Sequence, residues 1–170
     1  MSTIGMAEFG YIGMHEAYID SLRQYCTNPV ADTIEYLKRD IANLALGNPD
    51  NHGQNSAPTK REDGTVALSL LFDFAPMKLA REGVIRSTRW AITRDSGRDN
   101  LPDWNEICTL LFSNNDERQS VAGALYEFAE RLQRVPRIAK DMGAPPDIVE
   151  RAMSRYAEIA QSVQDSLSKD

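Results

Sequence analysis

Apolar side chains recur at helical spacing through most of the chain. Met14, Tyr18, Leu22 and Tyr25 share one face of a helix expected from His15 to about Cys26, with Asn28-Pro29 as its stop. Asp32 and Glu35, three apart, form a capping-box pattern for the next helix. Its inner face is Ile34, Leu37, Ile41 and Leu44, and Gly47 is its C-terminal cap. Asn48-Pro49-Asp50 reads as a turn. Residues 55–60 and 66–74 read as two strands around Glu62-Asp63-Gly64, a hairpin signal. From Ala75 to Asn100 the pattern weakens, with a polar stretch at Arg81–Gly83 and a strand expected at Ser87–Thr93.

Helical spacing then returns. Asp103 with Glu106 opens a helix through about Phe112, and Val121, Leu125, Phe128, Leu132 and Val135 mark a long amphipathic helix ended or kinked at Pro136. A shorter piece runs to Met142 and stops at Gly143. After Pro145-Pro146, Asp147 is the expected cap of a last helix that buries Ile148, Ala152, Tyr156, Ile159 and Val163. Residues 1–13, with glycines at 5, 10 and 13, read as a loop. There is no internal repeat or low-complexity segment. The expected architecture is a single domain over residues 1–170, mainly α with a small central β-hairpin.

Composition narrows the partners more than the fold. A chain of 170 residues with 42% hydrophobic and 26% charged residues has room for a real core and reads as soluble and globular. A net charge of −6 argues against non-specific binding to nucleic acid or acidic membranes. Cys26 and Cys108 both fall in apolar helical patterns and read as reduced core thiols. No apolar stretch approaches the length of a membrane span, and MSTIGMAEFG lacks the basic and apolar regions of a signal peptide. A cytoplasmic protein is expected.

Candidate chemistry concentrates in residues 44–76. Asp50 and Asn55 lie five apart in a polar loop, and Asp73 follows eighteen residues later inside the apolar run Val66–Phe74. A carboxylate buried in such a run needs a cationic or hydrogen-bonding partner. Two Asp and an Asn gathered by a hairpin are hard oxygen ligands suited to Mg²⁺. They also match a phosphotransferase layout, in which one carboxylate orients the attacking hydroxyl while an amide and a second carboxylate hold metal. The Asp–Asn spacing alone is weak evidence, since it recurs at Asp95 and Asn100; there, however, the position eighteen on is Arg118. Plainer roles compete at each position. Asp50 could be a turn residue, Asn55 could satisfy loop backbone, and Asp73 could face outward from an edge strand or cap an end. His52 reads as a loop-positioning hydrogen bonder rather than a metal ligand, since the only other His is the distant His15. An EF-hand reading of DNHGQN fails because Arg61 occupies the twelfth position, where a Glu is required.

Leu-Gly-Asn-Pro-Asp-Asn-His-Gly-Gln-Asn followed by Leu-Leu-Phe-Asp-Phe-Ala-Pro resembles the C-terminal lobe of the HipA-type serine/threonine kinases, the toxin half of many bacterial toxin–antitoxin pairs. The Gly143-Ala-Pro-Pro-Asp-Ile-Val-Glu-Arg segment is similar to the family's closing segment, and residues 76–112 match least distinctively. The resemblance implies a protein-kinase-like C-lobe with ATP and Mg²⁺ as cofactors, held around Asp50, His52, Asn55 and Asp73. Asp50 would be the catalytic base, Asn55 would help bind Mg²⁺, and Asp73 would bridge metal to the nucleotide phosphates.

No G-x-G-x-x-G, Walker-type loop or V-A-I-K-like strand occurs in the sequence. Little or no phosphotransfer is therefore expected from this chain alone, and an N-lobe in trans is the expected complement. The implied partners are an N-lobe-bearing chain or antitoxin and a protein substrate, with nucleic acid reached only through an antitoxin. The competing expectation is a non-catalytic interaction module or a truncated relic of such a kinase. A helical DNA-binding reading of the last helix is weak, because Arg151 and Arg155 are offset there by Glu150 and Glu158.

Overall fold

The computed structural model describes residues 13–51, 55–96 and 101–168. Its axis is helix α2 (Pro29–Ala45), preceded by the short strand β1 (Gly13–Met14) and helix α1 (His15–Tyr25). Asn28 caps α2 by accepting from the Ala31 amide at 3.2 Å, and Pro29 sits in the first turn, where a helix has no use for its N–H. Asn28-Pro29 thus starts one helix as well as separating it from the last.

The expected cap at Asp32 is overturned. Asp32 lies inside the first turn, buried, and its Oδ1 accepts the Leu68 amide at 2.7 Å. The apparent capping box is a tie from helix to strand.

That strand belongs to the hairpin of β2 (Pro58–Lys60) and β3 (Val66–Leu68), antiparallel with Pro58 opposite Leu68 and Lys60 opposite Val66. The outer edge of β3 is covered. Thr27 exchanges two bonds with Val66, and Arg39 Nη2 donates to the Ser69 carbonyl at 2.6 Å. The hairpin is shorter than expected. After the Ser69 amide bonds Ala57 O at 2.8 Å, the chain has no further strand to pair with and leaves the sheet. Leu70 is 90% exposed, and Leu71, Phe72 and Asp73 are exposed as well. The expected strand through Phe74, with a buried carboxylate, does not form; Asp73 occupies a bend at φ 51°, a conformation Asp tolerates better than most residues.

A 3₁₀ turn (Met77–Leu79) leads to β4 (Thr88–Arg89), which pairs in parallel with β1. The strand expected over Ser87–Thr93 is cut to these two residues because α3 (Ala91–Ser96) starts at once; Asp95 therefore sits in a helix, not a surface loop. Asp103 caps α4 (Trp104–Leu111) as expected, accepting from the Asn105 and Glu106 amides. Helix α5 (Asn115–Leu132) ends before Pro136, which falls in the first turn of α6 (Val135–Asp141).

The last expected helix is two, α7 (Pro146–Ala152) and α8 (Tyr156–Leu167). Asp147 makes no cap bond, and Val149 rather than Ile148 is fully buried. No proline or glycine stands at Met153-Ser154-Arg155 to mark the break in the sequence.

Eight helices and two two-stranded ribbons make the described residues mainly helical. Leu37 and Ile41 of α2 pack into one core with Val121 and Leu125 of α5, Ile159 and Val163 of α8, and Trp104 and Ile107 of α4. Cys26 and Cys108 are free and buried. No described helix is long and apolar enough to cross a membrane.

The exit from α2 fixes the direction of the following loop. Gly47 adopts φ 74°, and the Asn48 amide reaches back to Asn43 O at 3.0 Å, the 6→1 bond of a Schellman cap. A Cβ at Gly47 would stand 2.3 Å from the carbonyl oxygen of Ala152 in α7. Gly47→Ala combines a backbone strain with a backbone clash, so it is expected to lower stability by about 2–4 kcal/mol. Urea unfolding of the variant checks this; a loss under about 0.5 kcal/mol, the level of an ordinary surface change, would contradict the packing described.

Candidate functional site

Side-chain amides build the loop that leaves α2. Asn48 is buried; its Nδ2 donates to Asn43 Oδ1 at 2.9 Å, and its Oδ1 accepts the Asp50 amide at 3.2 Å. The Asp50 carbonyl accepts from Asn55 Nδ2 at 3.0 Å. Asn51 Nδ2 donates to Thr88 O at 3.3 Å, Asn51 Oδ1 accepts the Thr88 amide at 3.3 Å, and Thr88 Oγ1 donates to Asn51 O at 2.7 Å. The loop has little regular structure of its own, so these bonds take the place of a ladder.

Asp50, Asn55 and Asp73 line one cleft, although they come from two separate segments. Arg39, Asp40 and Asn43 of α2 and the Leu71–Phe74 segment also line it, and His15 and Tyr36 reach it from below. The enclosed space is about 30 Å³, room for a water or two or a bare metal ion. His52 lies outside the described residues. Asn55 does perform the plainer role of bonding loop backbone, and the bond it makes among the described residues uses its Nδ2. Asp73 is neither an edge-strand residue nor a cap.

Beneath the cleft lies a buried polar cluster absent from the sequence-based expectations. Asp40, 2% exposed, pairs through Oδ1 with Arg86 Nη2 and accepts from Trp90 Nε1 through Oδ2 at 3.0 Å. His15 stacks on Trp90 with ring centroids 4.5 Å apart, and its Nε2 lies 3.4 Å from Asp40 Oδ1 and 3.2 Å from Arg86 Nη2. Its Nδ1 meets Tyr36 Oη at 2.9 Å. Burial pushes the His15 imidazole down to about 4, with Asp40 opposing and Arg86 reinforcing the shift. Burial pushes the Asp40 carboxyl up, but Arg86, then His15 and Trp90, outweigh it and hold it below the usual carboxylate range. The cluster is thus a neutral imidazole beside a closed ion pair. One signal for it was available: Asp40 sits three residues after Leu37 and four before Leu44, on the apolar face of α2.

The family model for the HipA-like C-terminal domain matches residues 3–164. The chain belongs to that family. No curated protein matches it.

Within this HipA-like domain, the fit of a metal to the cleft depends on its donors. Among the described residues no three His, Cys, Asp or Glu side chains gather to hold one. Apart from Asp40, whose oxygens are both engaged, the cleft offers two carboxylates and an amide oxygen, which suits a hard cation that keeps water or phosphate oxygens in its remaining positions, as Mg²⁺ does. Arg39 adds positive charge to the same wall. Its Nε bonds Glu35 at 2.8 Å and its Nη2 bonds Ser69 O, while Nη1 is buried with no partner among the described residues.

The buried imidazole predicts a pH dependence of stability. The unfolded chain's His15 takes up its proton near 6.5 and the folded one only near 4, so the unfolded state binds more protons between those values. Stability present above pH 6.5 is lost progressively as pH falls to 4, by up to about 3 kcal/mol. Asp40, depressed in the folded state, adds stability that is lost as pH falls through its folded value. Thermal melts across pH 4–7.5 test this, with His15→Gln expected to flatten the decline in the 4–6.5 window. An equal decline in that variant would assign it to other groups.

Proposed function

We propose that the cleft is the metal and phosphate side of a phosphotransferase site, in which Mg²⁺-ATP supplies a phosphoryl group for a Ser/Thr hydroxyl of a protein. The observation that carries this reading is the meeting of Asp50, Asn55 and Asp73 in one cleft of a HipA-like C-terminal domain. Asp50 accepts the proton of the attacking hydroxyl, its backbone held on both sides by the Asn48 and Asn55 amides. Asn55 and Asp73 would hold the metal, which would supply neutralisation of the charge on the phosphoryl oxygens.

The work left to this lobe is positioning and charge neutralisation. The glycine-rich loop and phosphate-binding lysine that such a reaction uses are not in the sequence, so the reading includes a second lobe that supplies them. Family membership also supports a toxin–antitoxin setting, with an antitoxin as partner and nucleic acid engaged only through it.

One observation favours a second reading, a non-catalytic interaction module. Leu70, Leu71 and Phe72 are exposed in a row beside the cleft, a surface suited to protein contact.

Calorimetric titration of wild type and Asp73→Asn with ATP, with and without Mg²⁺, separates the two. Asn keeps the shape and tolerates the left-handed backbone, so at this exposed position the variant should unfold within about 0.5 kcal/mol of wild type. The kinase reading expects Mg²⁺-dependent ATP binding by wild type, weakened about tenfold or more in the variant. No binding by either protein would leave the interaction module standing.

A further inference from the structure

We infer that Asn51 and Thr88 form a positioning clamp for Asp50. The buried Asp40–Arg86 pair fixes Thr88, Thr88 fixes Asn51, and Asn51 fixes the backbone that carries Asp50 in the cleft wall. The inference rests on the proposed function only for what Asp50 does there; the clamp stands on its own geometry.

Asn51 and Thr88 are 37 residues apart and share three hydrogen bonds. The Asn51 carboxamide offers its oxygen to the Thr88 N–H and its N–H to the Thr88 carbonyl. It thereby does for β4 what a neighbouring strand would do. On the opposite side of β4, Gly13 bonds the Ser87 carbonyl at 2.8 Å, so the strand is held between β1 and a single side chain. The Thr88 carbonyl also receives Arg86 Nε at 3.1 Å, and Arg86 is fixed in turn by Asp40. Both Asp40 oxygens are engaged, which leaves the guanidinium little freedom to move.

Thr88 is buried, so its backbone groups must find partners within the protein. A surface loop, by contrast, can be capped in many ways. Here the loop that holds Asp50 is instead tied by three amide side chains, Asn48, Asn51 and Asn55. Amides fix a backbone without adding charge near the carboxylates of the cleft. A group that must stand at a set distance from a reacting hydroxyl gains from such rigidity.

Residue-resolved amide hydrogen exchange on the full chain tests the clamp, comparing wild type with Asn51→Ala, Thr88→Val and Thr88→Ser. Exchange at the Asp50 and Asn51 amides should rise about tenfold in Asn51→Ala and Thr88→Val, with helices α2 and α5 unchanged. Thr88→Ser, which keeps the hydroxyl donor, should return to wild-type rates. Unchanged rates at 50 and 51 would overturn the inference, and so would a uniform rise across the helices, which marks a merely structural role. Should Thr88→Val fail to fold, Asn51→Ala alone decides, since its side chain is only half-buried in a loop. Mn²⁺ titration of the same proteins keeps the two ideas apart. Weaker binding in Asn51→Ala supports both, whereas no binding by wild type removes the metal reading and leaves the clamp to the exchange data.

Discussion

Asp40 imposes the constraint on which the site depends. A carboxylate on the inner face of the central helix cannot be left alone, because a buried charge without partners costs several kcal/mol. The chain meets it with Arg86 and the Trp90 indole, both from the far side of the hairpin, and with His15 at the start of α1. Satisfying one side chain therefore draws the start of the domain and the β4 region onto α2. The parallel β1–β4 pair and the floor of the cleft are consequences of that convergence.

The polar groups of the cleft divide into two sets. Asparagines hold the loop and are largely consumed by hydrogen bonds, whereas Asp50 and Asp73 line the cleft. Asn55 belongs to both, with its nitrogen used on Asp50 O and its oxygen without a bond among the described residues. The structural and chemical roles that compete on paper are thus compatible in one residue. Asp73 contributes differently. Its segment is held at Ser69, by the Ala57 carbonyl and by Arg39, and beyond that point it runs exposed to the bend at φ 51°.

Family membership and geometry support each other without being the same evidence. The match over residues 3–164 identifies the fold lineage, while the cleft shows where chemistry could occur. The exposed Leu70–Phe72 row beside it is a surface on which a second lobe or a partner could close.

Local chemistry determined most of the helices. Spacing of Leu37 and Ile41 or of Val121, Leu125 and Leu132 requires one buried face, and Asp103 caps its helix because its short side chain reaches the free amides of the first turn. Asp50 and Asn55 were legible as polar loop residues after an apolar helix, and both line one cleft. Tertiary structure decided the rest. Asp32 became a tie to β3 because Asn28 had already capped the helix, and the strand toward Asp73 ended because no partner lay beside it. The α7–α8 break has no local breaker and coincides with the approach of Ala152 to Gly47. The Asp40–Arg86–Trp90–His15 cluster joins residues up to 75 positions apart (His15 and Trp90), and only packing can bring such groups together. Periodicity records which face is buried; it does not record which distant group must be buried against it.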